Sequence, residues 1–507
     1  MKEKLFLAVD LGTSFIKAGV YNLHGNCLAT CSEAVKDERP SPGVFLQRGE
    51  ELYTAAVRCI VRCVEAIADR AEQIEAMAFT GQMAGAIGVD EQWGDVTTWS
   101  CSLDTRYVPY ANEQRGRLNR EFYEISGTNA PMMCSKYAWF KDAFPEEHRR
   151  IAKYVMLNGY LIGRLSGIPV AEAKIDNSLI AWTGMADMQH GTWSETMIRE
   201  LDVDPSHLPE IVDCDTVCGY LDGQHAALLG LRSGIPLIAG AGDKVSGCVG
   251  SDALGYGAKI FEAASYGAIS ILVPEVRLDT ETRSYDVIGA VDRNDHYVHK
   301  YMQGSGITID WFINTFAKQA DMRFGEAVAE MEKCAAAVAP GSDNMMAVGL
   351  LGGNAIPFNS DLRGAFVGHT WNHTKGHFYR SLLESFGYEL ALTLRSFEKN
   401  YPQYSSGPIK MIGGGAKSAI WGQILADITG KEFHVLQRDD SALWGCALLA
   451  ASGIGATSNI RSKAAEHALV KKVFYPDERR HTYYAPYVDV YKNVCDTISG
   501  LCVQLKG

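Results

Sequence analysis

A strand–turn–strand unit opens this chain twice, once near residue 4 and again near residue 258. KLFLAVD (4–10) is an apolar run fit for a buried strand, LGTS a tight turn, and FIKAGVYN a second strand. AKIFEAA (258–264), SYG and AISILV repeat the pattern, though hardly the letters. With 507 residues the chain exceeds what one core organises, and the repeat predicts two related α/β domains. The Gly-rich stretch 250–257 (GSDALGYG) is the expected hinge. CLATCSEAV reads as a third strand, Gly49 to about Ala71 as a long helix, and IEAMAFTGQ as a further strand with a Gly-rich end. The segment from Tyr475 to Gly507 reads as a helical tail. The expected division is 1–252, 256–470 and a tail over 471–507.

Net charge of −12 without a basic stripe argues against nucleic acid as a partner. It does not forbid an anionic ligand, because backbone amides, a few lysines and a metal ion bind phosphate locally. No run of about 18 apolar residues predicts a membrane span. The start, MKEKLFLAVDLG, lacks the length and cleavage site of a signal peptide. The expectation is a cytoplasmic protein whose 13 cysteines stay reduced. Cys59 with Cys63, and Cys214 with Cys218, lack a second pair to complete a zinc site.

Three segments could carry chemistry. Asp10-Leu11-Gly12-Thr13-Ser14, with Lys17 beyond, ends a buried strand on a carboxylate and follows it with hydroxyls and exposed amides. That donor set suits phosphate and magnesium, or it is a hairpin turn with a polar cap. Leu237 to Asp243 (LIAGAGD) brings another carboxylate to a strand end, where α/β proteins bind ligands. Asp243 is a candidate proton acceptor or a plain helix cap. Ile409–Ile412, preceded by Pro408 and followed by Gly413-Gly414-Gly415-Ala416-Lys417-Ser418, reads as a strand, a glycine turn and a helix start. The turn would let a nucleotide lie against backbone, or is merely structural; it lacks Walker spacing. His369, His373 and His377 would stack at i, i+4 and i+8 on one helix face, but no carboxylate accompanies them as in a zinc protease, and packing explains them better.

Together these segments resemble the FGGY family of carbohydrate kinases, in its xylulokinase-like branch, from residue 4 to about residue 490. DLGTS-x-x-K is similar to the family's first phosphate motif. Gly81-Gln82-Met83-Ala84-Gly85 resembles its Gly-Gln-Met-His-Gly sugar loop, and Asp104-Thr105-Arg106 its Asp-x-Arg. Ala239 to Asp243 resembles the segment bearing the catalytic aspartate. Gly364 through Arg380 and Glu384 resembles the second signature; GGGAKS-x-x-W-x-Q-I-x-A-D and Ala442 to Ala447 resemble the nucleotide segment and the element after it.

The resemblance implies an α/β fold of two ribonuclease-H-like domains of the actin and hexokinase type, with MgATP and a sugar in the central cleft. It implies Asp243 as general base and Asp10 as the residue that holds Mg²⁺. Thr13, Ser14, Lys17 and Ser265 would meet phosphate, and Gly306, Gly414, Gly415 and Ala416 the ATP. Gln82, Met83, Asp104 and Arg106 would line or support the sugar pocket with Asp243, and Lys244, beside the base, is a further candidate there. Four departures stand out: Ala84 where the family has His; Lys244 where Asn or Gln is common; Ala264-Ser265-Tyr266-Gly267 where Gly-Thr-Ser-Gly is usual; and Gly352-Gly353-Asn354 for Gly-Glu-Arg. Trp99, five residues before Asp104, resembles the autoinducer-kinase branch. Lys244 needs a nearby anion; Asp243 is the adjacent candidate, and such a pairing would make it a weaker base. The expected substrate is a ketopentose such as xylulose. The alternatives are a sugar acid, a polyol, a signalling sugar, or a non-catalytic sensor on the same fold; a homodimer is compatible with all of them.

Overall fold

The computed structural model describes residues 3–505. Met1 and Lys2, in the start read above, and Lys506 and Gly507, at the end of the expected tail, lie outside the described residues. Two sheets organise the chain. The first orders its strands as β5–β6–β4–β1–β2–β3: β1 (Leu5–Leu11), β2 (Phe15–Asn22), β3 (Cys27–Ala34), β4 (Ile74–Gly81), β5 (Val217–Tyr220) and β6 (Pro236–Gly242). β1 runs antiparallel to β2 and parallel to β4, and β4 runs parallel to β6. The second sheet repeats this plan as β9–β10–β8–β7–β11–β12–β13. Its strands are β7 (Lys259–Ala263), β8 (Gly267–Val273), β9 (Asp286–Gly289), β10 (His296–Met302), β11 (Ile409–Ile412), β12 (Phe433–Leu436) and β13 (Val470–Phe474). β7 is its counterpart of β1, antiparallel to β8 and parallel to β11. This is the two-domain α/β architecture that the doubled opening predicted.

The central strands are continuous apolar runs because both faces are covered. Leu5, Leu7, Val9 and Leu11 point into one core, and Phe6 and Ala8 into another. Helix α1 (Gly49–Ala66) lies over β2, where the Cys59 and Cys63 thiols donate to the carbonyls of Ile16 and Ala18 at 3.6 and 3.5 Å. The helix is shorter than its pattern suggested, and a 3₁₀ turn covers Ala68–Gln73. His369 and His373 precede helix Lys375–Asn400, so the three histidines do not share a helix face. His377 lies in its first turn and, with Thr374, caps its start.

Two short helices join the halves. α2 (Asp243–Gly250) follows β6, and α3 (Ser441–Gly453) follows β12. Although α3 comes late in the chain, Leu443, Cys446 and Leu448 pack with Phe6, Ala8, Ala76 and Ile238 of the first sheet. It crosses α2 at two glycines: a Cβ on Gly445 would lie 1.9 Å from the Ser246 carbonyl oxygen, and one on Gly250 1.9 Å from that of Ser441. Only glycine permits so close a crossing. After β13, the helix α4 (Glu478–Leu505) buries Tyr484, Val488 and Tyr491 in the second core. Tyr484 there donates to Glu384, which also accepts from Arg380.

Candidate active site

Parallel strands end together, and their ends hold the site. Asp10 on β1 is level with Thr80 on β4, and Thr80 with Ala241 on β6. Asp243 is the first residue of α2, directly after β6. A bulge shifts the register of β6 between Ile238 and Ala241. Gly240 makes it possible: its φ is +73°, and a Cβ would lie 1.7 Å from the Phe79 carbonyl oxygen. Below this turn the buried Ser178 hydroxyl accepts the Gly242 N–H at 2.8 Å and donates to Asp176. Asp176, pushed up to about 7 by burial, thus anchors the strand end that presents Asp243. Met83 packs on Gly242 from the other side.

A cavity of about 270 Å³ opens between the sheets, lined by Asp10, Lys17, Asp243 and Lys244 from the first half and Glu262, Gly413 and Ser441 from the second. Asp243 keeps 41% of its side-chain surface accessible because it faces this space, although protein surrounds the space. That enclosure raises its pKa, with Glu262 adding to the rise and Lys244 opposing it. Asp10 is pushed up to about 7 by burial first and by Asp243 next, with Lys17 pulling it down. The Lys244 ammonium sits 2.6 Å from Glu262 and 3.9 Å from Asp243. Burial disfavours its charge, but the two carboxylates hold the proton, Glu262 the more strongly. The expected contact with Asp243 is present at 3.9 Å and pulls its pKa down, but Glu262 is the nearer anion, and burial outweighs the pull so that the Asp243 pKa moves up on balance. Glu262 had no motif around it. Its one signal was a lone carboxylate inside the apolar strand KIFEA.

The cavity lining does not include Thr13, Ser14, Gln82, Met83, Asp104, Arg106, Ser265, Gly306, Gly414, Gly415 or Ala416. Gln82 spends its amide inside the protein: Nε2 donates to the Gly12 carbonyl and Gln47 Oε1, both at 3.4 Å, and Oε1 accepts from Trp99 at 3.2 Å. Gln47 in turn donates to the Thr13 carbonyl at 2.8 Å, tying the 81–85 loop to the β1–β2 turn. Asp104 is fully buried and grips Arg106 through two bonds of 2.8 Å. The Arg106 guanidinium stacks on Trp139, 4.5 Å from the ring centre. In the second half, the Gly306 N–H donates to the Ala264 carbonyl at 3.0 Å, which joins Gly306 to the Ser265 turn. Gly414 has open space where a Cβ would go.

With this geometry in view, the comparisons decide the family. The model of the FGGY carbohydrate kinase N-terminal domain matches residues 5–250, and that of the C-terminal domain residues 271–454. The chain belongs to the FGGY family of carbohydrate kinases. It is an enzyme, an ATP-dependent phosphotransferase acting on a carbohydrate. Among curated relatives it is 26% identical to a gluconokinase of Bacillus subtilis, covering 94% of this chain and 91% of that one. It is 23% identical to a xylulose kinase of the same species, covering 99% of both. An autoinducer-2 kinase of an Enterobacter strain is 26% identical over 94% of this chain and 91% of its own. A crystal structure of gluconate kinase from Lactobacillus acidophilus superposes with a TM-score of 0.90 at 21% identity, covering 99% of this chain and all of that one. The last likeness speaks for the fold alone. Among the described residues, no helix is long and apolar enough to cross a membrane.

Proposed function

We propose that this kinase phosphorylates a terminal hydroxyl of an uncharged open-chain ketopentose such as xylulose, with Asp243 as the general base. One observation carries the choice of a neutral sugar. Arg106, which the family resemblance assigns to the sugar pocket, and Lys244, the candidate beside the base, each have a carboxylate partner already, Asp104 and Glu262. A sugar acid would need a cation that is not already matched.

The chemistry asks for position more than covalent work. The hydroxyl oxygen bonds to the γ-phosphorus as the bond from that phosphorus to the β–γ bridging oxygen breaks. The hydroxyl proton passes to Asp243, and ADP leaves with the bridging electron pair. Enclosure keeps Asp243 basic enough for the task. Lys17, on the cavity wall, would meet phosphate oxygens, and the open face at Gly414 would take the nucleotide. The donor set also fits magnesium brought in with ATP. Asp10, crowded by Asp243 and Glu262, is a carboxylate that gains from a nearby cation. No group of three or more His, Cys, Asp or Glu among the described residues could hold a metal by itself. Magnesium commonly takes one or two carboxylates and completes its shell with water and substrate phosphate. Its contribution when bound is to neutralise the phosphate charge.

A sugar acid is the second reading, and Arg115 favours it. Among the described residues this arginine has no carboxylate partner; it bonds Asn112 at 2.7 Å and stacks on Phe358 of the other half, 3.4 Å from the ring centre. A coupled ADP-release screen over ketopentoses, polyols and aldonates at equal concentration tests the choice. The highest kcat/KM is expected with a ketopentose. A preference for gluconate, lost in Arg115→Ala, would overturn it.

A further inference from the structure

The Lys244–Glu262 pair crosses the cleft. Lys244 is the second residue of α2 in the first half, and Glu262 lies on β7 of the second. Both line the cavity that holds Asp10 and Asp243. The ammonium belongs to the residue after the general base, on the same first turn of α2, where neighbouring side chains diverge. It lies at hydrogen-bond distance from Glu262, 2.6 Å, and only in the longer ion-pair range from Asp243, 3.9 Å. The backbone N–H of Lys244 does donate to Asp243, at 2.8 Å. The first carboxylate is thus oriented by main chain while the side-chain charge is drawn elsewhere.

We propose that Glu262 is a positioning residue for phosphoryl transfer: it holds the Lys244 ammonium across the cleft, out of hydrogen-bond contact with Asp243, and so leaves the Asp243 lone pairs open to the hydroxyl proton. An ammonium in direct contact with a carboxylate competes for the lone pair that the hydroxyl proton must reach. Held on Glu262 it no longer does so, and the pair adds no net charge beside an incoming triphosphate. Lys244 is also kept charged by this arrangement, because a lone ammonium in an enclosed site would be costly. Two charges from opposite halves meet at the point where sugar and nucleotide must also meet. Their separation therefore reports on how the cleft sets up the base.

The inference rests on Asp243 being the base, so Asp243→Asn in the same assay serves as the separate control. The test is a double-mutant cycle of Glu262→Gln, Lys244→Gln and the two combined, in the full-length enzyme. Steady-state kcat and both KM values are read for the best sugar from the screen. Glu262→Gln releases Lys244 onto Asp243. It should lower kcat about tenfold, part of the roughly 10²–10⁴-fold that a general base supplies, with the ATP KM changed less than about threefold. Lys244→Gln strands Glu262 beside the phosphates and should raise the ATP KM. The combined variant has neither charge to misplace, and its kcat should return to within about threefold of wild type. That recovery is something a merely structural role would not give. A combined variant as slow as Glu262→Gln, or a Glu262→Gln enzyme with normal kcat, overturns the proposal. If Glu262→Gln does not fold, the combined variant alone decides, since a tenfold loss in it has the same meaning. If Asp243→Asn keeps normal kcat, the base assignment fails instead, whatever the cycle shows.

Discussion

Gly445→Ala puts a methyl group where two helices cross with no room for one. The new Cβ would lie 1.9 Å from the Ser246 carbonyl oxygen and 2.7 Å from the Gly250 nitrogen. An ordinary contact is about 3.5 Å, so α2 and α3 must part by roughly 1.5 Å or tilt. Neither neighbour can yield locally, because both atoms are backbone inside a helix. The stability cost is that of overpacking, about 1–3 kcal/mol. The larger effect is on chemistry, since α2 carries Asp243 at its first position and α3 lines the other end of the cavity with Ser441. A displacement of about 1 Å can cost roughly 10²-fold in rate. Coupled ADP release should show kcat reduced by about that factor. Urea denaturation should show a protein that still folds cooperatively. A Gly445→Ala enzyme with kcat within about twofold of wild type would refute the reasoning, and with it the claim that this crossing sets the position of the base.

Gly414→Val should raise the ATP KM well above any change in the sugar KM, because its side chain would project into space that is open in the protein; an unchanged ATP KM would place the nucleotide elsewhere. Asp10 has a folded pKa of about 7 against 3.8 for the free side chain, so the folded protein keeps a proton that the unfolded chain has lost between those values. The stability this contributes is complete below about pH 4 and is lost as pH rises through about 7, and Asp176 and Asp286, also pushed up to about 7 by burial, act in the same direction. The ligand-free melting temperature should therefore fall between about pH 4 and 7. Asp10→Asn should lessen that fall, leaving the share from Asp176 and Asp286, while abolishing turnover; an unchanged pH slope in thermal melts would contradict it.

The sequence made the doubled opening legible because a buried central strand leaves an unbroken apolar run, and Asp10 and Asp243 stood out as carboxylates ending such runs. The glycine turn after Ile412 was legible for a similar reason: glycines cluster where backbone must come close to something. Other features had no local signature. Glu262 meets Lys244 only because β7 and α2 come from opposite halves. Gly250 was read as the start of a hinge and Gly445 as part of a family element, and neither reading anticipated that the two meet where their helices cross. Gln82 and Asp104 matched sugar motifs in letters, yet their side chains are engaged with Gly12, Gln47 and Trp99, and with Arg106. Spacing identifies a residue type in a loop, but it does not reveal which partner a side chain has already taken.

Asp243→Ala tests the account's central claim most directly. Single-turnover phosphoryl transfer should be measured with saturating MgATP and the best sugar from the screen, beside ATP binding to the same protein. The account predicts a rate about 10²–10⁴-fold below wild type with ATP affinity nearly unchanged, because the proton acceptor is gone and the nucleotide site is not. A folded Asp243→Ala protein that transfers phosphate at close to the wild-type rate would contradict it.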